Sequence, residues 1–573
     1  MKRTLSLILA MLLALTMLFA ASADELEMSD VANMTAPGVL PIVVEPVDLT
    51  IATAQHVMVT DYDDNALTKF VEEQTGIHIV WDLLPAAETA TVLDLRLASG
   101  ETLPDIIAYG FGNTAASYGD QGYFRPLNEF YDKYSYFLYN GATGMTEMDY
   151  DQYFARAKAA DGNIYGYAFY TKSIGDQTKN TAYINRLWLD KLGLAVPTNL
   201  DELYNVLVAF RDNDMNGNGD TTDEFPAIAS KECWNGYFDE YFINCFTYYN
   251  QDYMLDVKDN VVYAPFVTEE WQNAMIFLNK LVAEGLLAPV SFTMKRDEYV
   301  QLLEPLSPEE QICGLIFGST ANIRVDKSNP YLLAYDPMVP LENQYTPERT
   351  ANVTPFGFIT CDCQIPEIAF RYMDFFSQEK VSLWTRYGVP GDTLIWREDD
   401  PEAFDATYPN GSQRAMMAGF DSHWATDFTD GKVDPWSNEN NVMYNTHWFC
   451  MLPAATYSSA STKTPAAEFI TSWEDAWEKQ NMSGYQTYIT ATLTKQLGIL
   501  PDQLFVDPVY TVDEIDSTND VMSTVQTYVK EMIASFTTGA KDPVADWDEY
   551  IEQLEAAGLQ QWLDLAQAYW DRH

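Results

Sequence analysis

The chain has 573 residues, 47% of them hydrophobic, and sets 33 Lys and Arg against 84 Asp and Glu for a formal net charge of −51. That length exceeds one ordinary domain, and the apolar content supports real cores, which excludes long disordered stretches. A field this negative repels nucleic acid and anionic lipid and excludes both as partners.

Residues 1–23 read as an export signal. Lys2 and Arg3 precede an apolar run from Leu5 to Ala20, and Ala21, Ser22 and Ala23 supply the small residues of a cleavage site. Residues 24–48 follow as a short acidic linker. No cysteine precedes Cys233, so the lipid-modified cysteine of bacterial lipoproteins is missing. After the signal, no segment is long and apolar enough to span a bilayer. Cys233, Cys245, Cys313, Cys361, Cys363 and Cys450 are too few for a disulfide framework and read as buried thiols, with Cys233 and Cys245 the candidates for one bridge.

The run from His56 to Thr60 predicts a first strand. Residues 64–76 predict a helix with Leu67, Phe70 and Val71 on one face, 77–84 a second strand, 89–99 a helix, and 104–110 a third strand. Such alternation makes a parallel sheet with helices packed on it. Ligands of open parallel sheets sit beyond the carboxyl ends of the strands. Asp61 and Tyr62 fall there after the first strand, and Tyr109, Phe111 and Asn113 after the third.

Residues 161–170, DGNIYGYAFY, predict a strand that leaves a first lobe (49–165) for a second (166–340). The second lobe is expected to hold helices over 185–192, 200–210 and 269–284 and an apolar strand over 312–318, with a return crossing near the prolines of 337–344. Residues 341–573 complete both lobes, with a helix over 367–376 and a mainly helical pattern after about 465.

Between the second lobe's helices lies an oxygen-rich loop. From Asp214 the side chains Asp214, Asn216 and Asn218 alternate with Met215, Gly217 and Gly219, and Asp220, Asp223 and Glu224 follow. Alternation lets oxygens converge, glycine permits the tight turn, and Ca²⁺ takes about six to eight such oxygens. A plain Asn/Gly/Asp turn needs fewer. Two registers compete: an EF-hand-like run starting at Asp212, and a shorter loop from Asp214 closed by Asp223 and Glu224.

Several motifs in order carry a family resemblance: TGIHIVWDLLP, LRLASGETLPDII, QGYFRPLNEF, DGNIYGYAF, the stretch from Tyr183 to Pro226, EGLLAP, and PEIAFRYMDFFSQEKVSLWTRYGVPGD. Together they resemble the family 1 extracellular solute-binding proteins of ABC transporters, in the long branch that includes alginate-oligosaccharide binders. The resemblance implies an α/β, two-lobed, periplasmic-binding-protein-like fold of type II, each lobe a sheet flanked by helices and joined by crossover hinge strands. It implies a solute enclosed by hinge closure and handed to ABC permease subunits, and a monomer. It also implies a structural Ca²⁺ remote from the solute, in a loop of pattern D-x-N-x-N-x-x-x-D-E. Asp214, Asn216 and Asn218 match its first ligands, a carbonyl near Asp220 the fourth, and Asp223 and Glu224 the closing pair. One extra residue separates Asn218 from Asp223, which bears on the fourth ligand. The missing lipid cysteine departs from anchored members.

Aromatics are 14% of the chain, with 36 Tyr and 14 Trp, and sugars lay apolar faces on such rings. Tyr62, Tyr109, Trp234, Tyr237, Trp384 and Trp448 sit near glycines and loop ends and are the aromatic candidates for the cleft. An oligosaccharide is the expected solute. The competing readings are a secreted glycoside hydrolase and the same fold binding a peptide or other small solute. No G-x-S-x-G elbow, P-loop or H-E-x-x-H helix is present, and the five histidines are scattered, so no residue is assigned to catalysis.

Overall fold

A computed structural model describes residues 26–572, apart from 56–58, 112–113, 142–144, 146, 160, 172–180, 234–235, 305–306, 308–309, 319–332, 348–351, 388–389, 392–393, 408–423, 427–450, 453–469 and several short stretches between 482 and 511. Residues 1–23, read as an export signal, therefore lie outside the described residues.

Fourteen strands are described: β1 (Val47–Ala54), β2 (Ile77–Leu84), β3 (Ile106–Ala108), β4 (Gly166–Thr171), β5 (Ala182–Asn185), β6 (Phe225–Ile228), β7 (Asp256–Lys258), β8 (Val261–Tyr263), β9 (Cys313–Phe317), β10 (Tyr335–Pro337), β11 (Asn352–Ile359), β12 (Leu394–Trp396), β13 (Trp424–Thr426) and β14 (Met451–Leu452). Lobe 1 is a six-stranded sheet in the order β14-β4-β11-β3-β1-β2, lobe 2 a four-stranded sheet in the order β10-β5-β9-β6. β7 with β8, and β12 with β13, form two small pairs.

The first strand is Val47–Ala54, not the run from His56. Its eight residues pair in parallel with β2, from Val47 opposite Ile77 to Ala54 opposite Leu84, while β3 takes its other edge. Leu49, Ile51 and Ala52 are fully buried between the helices that cover both faces. Residues 56–58 of the HVMVT run lie outside the described residues, and Val59 and Thr60 are not in a strand. Helix Ala66–Thr75 starts on Asn65, whose side-chain oxygen accepts from the Leu67 N–H at 2.9 Å, and ends on Gly76 at φ +75°.

The expected linker is also folded. Met34, Ile42 and Val43 are buried in lobe 1, and the Ile42 N–H donates to the Thr75 carbonyl. Arg371 locks the segment from below: one guanidinium nitrogen donates to the Thr35 carbonyl and, at 3.1 Å, to its hydroxyl, the other to the Val39 carbonyl at 2.9 Å.

β11 is antiparallel to both β3 and β4, so β1 to β4 all run the same way. The chain leaves lobe 1 from the carboxyl end of β4 and enters lobe 2 at the amino end of β5. There the Gly318 N–H donates to the Thr181 carbonyl at 3.1 Å, putting the carboxyl end of β9, and of its parallel neighbour β6, on the crossover side. Both sheets thus turn their carboxyl ends toward the crossovers. A return runs from β10 to β11, and a third passage, not anticipated from the pattern, from β14 to helix Trp473–Lys479 in lobe 2.

Lobe 2 recruits the C-terminal helices. Val525 and Phe536 of helix Val512–Thr538, Leu554 of Trp547–Ala556 and Trp562 of Leu559–Trp570 share one core with Trp188, Phe210, Trp271 and Leu315. Cys233 and Cys245 are both free, as the thiol reading has it, and the candidate bridge is not formed. No described helix is long and apolar enough to cross a membrane.

Candidate functional site

On the lobe 1 rim, the segment after β1 turns back along edge strand β2. Asp61 makes the turn, its carboxylate accepting from the N–H groups of Asp63 at 3.0 Å and Asp64 at 2.9 Å. Tyr62 is thereby tucked in, 5% exposed, with its ring edge-on to Trp81 at 5.4 Å. An open cavity of about 410 Å³ lies there, lined by Gln55, Asp61, Tyr62, Asp63, His78 and Trp81 among others. That volume falls in the range of small-ligand sites, which combine apolar walls with a few placed polar groups. Tyr109 sits at the carboxyl end of β3 on the same side. It is half-buried, with its ring against Phe111 at 5.2 Å.

Trp384, expected at the cleft, packs instead in the lobe 1 core, 9% exposed and 4.4 Å from the ring of Phe70. Its helix, Glu379–Tyr387, buries Val381 one turn earlier in the same core, and that face takes the indole with it. Asn113, Trp234 and Trp448 lie outside the described residues.

On the lobe 2 rim, Lys231 stands three residues past the carboxyl end of β6, and its ammonium donates to both oxygens of Asp239 at 2.7 and 2.6 Å. Tyr237 is half-buried beside them, its ring centroid 5.8 Å from the same ammonium. Lys231, Asp239, Gln55 and Trp81 were not singled out from sequence. The position of Lys231 just after a strand was the available signal.

The oxygen-rich loop precedes β6 and so lies at the opposite end of that strand, away from the crossovers. Helix Leu200–Arg211 leads into it, capped by the Asn199 side chain on the Glu202 N–H at 2.9 Å and burying Leu203, Leu207 and Phe210. It lies so close to β9 that a Cβ on Gly314 would sit 2.6 Å from the Phe210 ring. Asp212 turns out of the loop to pair with Arg211 at 2.7 Å, which leaves the register beginning at Asp214. One Asp214 oxygen accepts from the Gly217 N–H at 2.6 Å and the other from Gly219 at 2.9 Å, with both glycines at positive φ, +83° and +92°.

Asn216 and Asn218 donate their amides to the same Asp223 oxygen at 3.3 and 2.7 Å, and Glu224 accepts from the Met215 and Asn216 N–H groups at 2.7 and 3.3 Å. One oxygen of Asp223 and one of Glu224 are buried without a hydrogen-bond partner. Burial pushes the Glu224 carboxyl above its ordinary range, while the Gly219 N–H above all holds that of Asp214 down. Asp220 faces away and accepts from its neighbour Thr222 at 2.9 and 2.7 Å. Lys191 donates to the carbonyls of Asp214 and Met215 at 2.8 and 3.2 Å. Among the described residues no three His, Cys, Asp or Glu side chains gather as a metal site; this loop draws on asparagine as well as carboxylate.

Comparison with known proteins places this geometry. A curated relative, the fructooligosaccharide ABC transporter substrate-binding protein FusA of Streptococcus pneumoniae serotype 4, is 26% identical over 350 residues. That match covers 58% of this chain and 61% of FusA, less than two thirds of the relative's length. A solved structure of a FusA EF-hand mutant with fructo-nystose superposes with a TM-score of 0.63 at 20% identity, over 92% of this chain and 99% of that one. An HMO-binding, ABC-transporter-associated solute-binding protein from Bifidobacterium longum infantis gives 0.68 at 18% identity, with the same coverage. The alginate-binding protein AlgQ2, solved without calcium ion, gives 0.58 at 22%, again with that coverage. These likenesses fix the fold as the two-lobed type II architecture. The sequence profile of the bacterial extracellular solute-binding proteins matches residues 59–381, more than half of the chain, and the protein belongs to that family.

Proposed function

We propose that the protein is the substrate-binding component of an ABC importer, capturing an oligosaccharide between its lobes and presenting it to a membrane permease. The observation that carries this reading is the cavity of about 410 Å³ beside edge strand β2 of lobe 1, in which Trp81, backed by the buried Tyr62, supplies ring surface and Gln55, Asp61 and His78 supply polar groups. Rings of this kind take the apolar face of a sugar while hydroxyls find the polar rim. Three crossovers between the lobes supply the hinge, and closure about it is what a permease would recognise. The FusA and B. longum proteins, described as binding fructooligosaccharides and HMO, support the class of solute. The protein works as a monomer without turning its solute over, exported by the leader at 1–23.

The loop from Asp214 to Glu224 fits Ca²⁺. Asp214, Asn216, Asn218, Asp223 and Glu224 would hold the ion with a carbonyl near Asp220, and the two buried, unanswered carboxylate oxygens are the atoms such a cation satisfies. The ion would supply charge neutralisation and hold the loop's shape. A FusA EF-hand mutant among the relatives supports the reading.

A thermal-shift screen of the mature protein against oligosaccharides, monosaccharides and peptides, with product analysis of each sugar, tests the function. Stabilisation by a glycan that is recovered intact is expected. Turnover of the glycan, or a response to peptides alone, overturns it.

A further inference from the structure

The lobe 2 rim bears on which oligosaccharides fit, an inference that rests on the carbohydrate reading above. Asp239 keeps 6% of its side chain exposed and Lys231 29%. The ammonium spends two donors on the carboxylate, at 2.7 and 2.6 Å, and stands 5.8 Å from the Tyr237 ring centroid and 5.9 Å from that of Phe238. A lysine held this way has its charge answered by a buried partner. An acidic sugar accepting from its remaining donor would bring a second carboxylate up against the buried one with a single cation between them, and that like-charge approach is unfavourable. A hydroxyl asks for less: an ammonium has three donors, and a neutral sugar can take the third without breaking the pair.

The lobe 1 rim points the same way. Asp61 and Asp63 both line the cavity, and the nearby Lys69 is paired with Asp64. Around both rims stands a chain of net charge −51, which lowers the local concentration of anionic solutes. We propose that the site selects neutral oligosaccharides over uronic-acid oligosaccharides, with Lys231 as a hydroxyl donor beside Tyr237 and Asp239 as the residue that sets the selectivity.

The test is calorimetric binding to the full mature chain in Ca²⁺ and 150 mM salt, using a panel of neutral tri- and tetrasaccharides that includes kestose and a matched panel of uronic-acid oligomers. The wild type is expected to prefer its best neutral sugar by tenfold or more. Asp239→Asn frees the ammonium and is expected to narrow that preference by about tenfold, through gained affinity for the acidic sugar. Lys231→Met is expected to weaken neutral binding several-fold without admitting the acidic sugar. Equal or tighter wild-type binding of a uronic-acid oligomer overturns the proposal, as does an unchanged ratio in an Asp239→Asn protein with wild-type circular dichroism. Should that variant fail to fold, Lys231→Met decides: unchanged neutral affinity overturns the assignment. A wild type that binds no sugar of either panel takes down the carbohydrate reading and this inference with it.

Discussion

The two lobes bury charge on different terms. In lobe 1, Asp374 is 1% exposed and accepts from the N–H groups of Tyr136, Phe137 and Leu138 and the hydroxyls of Ser135 and Tyr167, all between 2.8 and 3.1 Å. Arg371, one turn earlier on the same helix, is answered by Thr35 and Val39 even though burial pushes its guanidinium down to about 10. In lobe 2, Asp223, Glu224 and Asp256 each leave one buried oxygen without a hydrogen bond. An unmet buried acceptor costs more than a met one returns. Lobe 1 therefore answers the charges of Asp374 and Arg371 from within the fold, while lobe 2 holds carboxylates with oxygens left for a cation or a proton. Added Ca²⁺ should therefore act mainly on lobe 2.

The sharpest way to break the comparison is Asp374→Ala. It strands three backbone donors and two hydroxyls in a core, and should cost about 3–5 kcal/mol, read as a fall in the urea midpoint that is the same with Ca²⁺ and with chelator. A loss below about 1 kcal/mol would mean that the lobe 1 network is not what closes its core. Next comes Asp223→Ala in lobe 2. Ca²⁺ at 100 times its Kd should stabilise the wild type by about 2.7 kcal/mol, and the variant should show none of it in a thermal melt. Full stabilisation of the variant would move the metal elsewhere.

The contrast also explains what could be read from the residues alone. The oxygen-rich loop is contiguous, so its spacing could be read directly and matched to the family pattern from Asp214, while the pairing of Asp212 with Arg211 could not. Helices with strong periodicity, such as Leu200–Arg211 and Glu269–Ala283, were legible for the same reason. The rim cavity joins residues 55–63 to 78–83, and Trp81 looks in sequence like any strand residue until Tyr62 is laid against it. β1 was missed because Asp48, Thr50 and Thr53 break up its apolar residues, whereas pairing with β2 and β3 decides. The linker was misread because its few apolar residues gain weight only from partners distant in sequence, the lobe 1 core around them and Arg371, more than 300 positions away. The third passage between lobes rests on a strand of two residues, too short to carry a pattern.

A smaller effect is the response of Asp256 to pH. Burial holds the Asp256 carboxyl up at about 6 against an ordinary 3.8, with Tyr263 its partner at 3.2 Å. The folded state then binds more protons than the unfolded one between those values, so stability falls as pH rises from about 4 to about 6 and stays lowered above. Asp256→Asn removes the charge and should be about 2 kcal/mol more stable than wild type at pH 7, with little difference near pH 4. A variant less stable at both would show that the carboxylate, not the carboxylic acid, suits the site.

The finest test lies inside the metal loop, where Lys191 is lobe 2's own partial answer to its carboxylates. Its ammonium is bonded to the Asp214 and Met215 carbonyls, and its charge helps hold the Asp214 carboxyl low. That charge favours the loop without metal and opposes a second cation in it, both by Coulomb interaction at short range. Lys191→Met keeps a long apolar stem and removes the charge. Metal-free protein should melt slightly earlier, and Ca²⁺ should bind about fivefold tighter by calorimetry, with the gap narrowing in high salt. Weaker Ca²⁺ binding in the variant would reverse the assignment, making the two carbonyl bonds a device that shapes the loop for the ion.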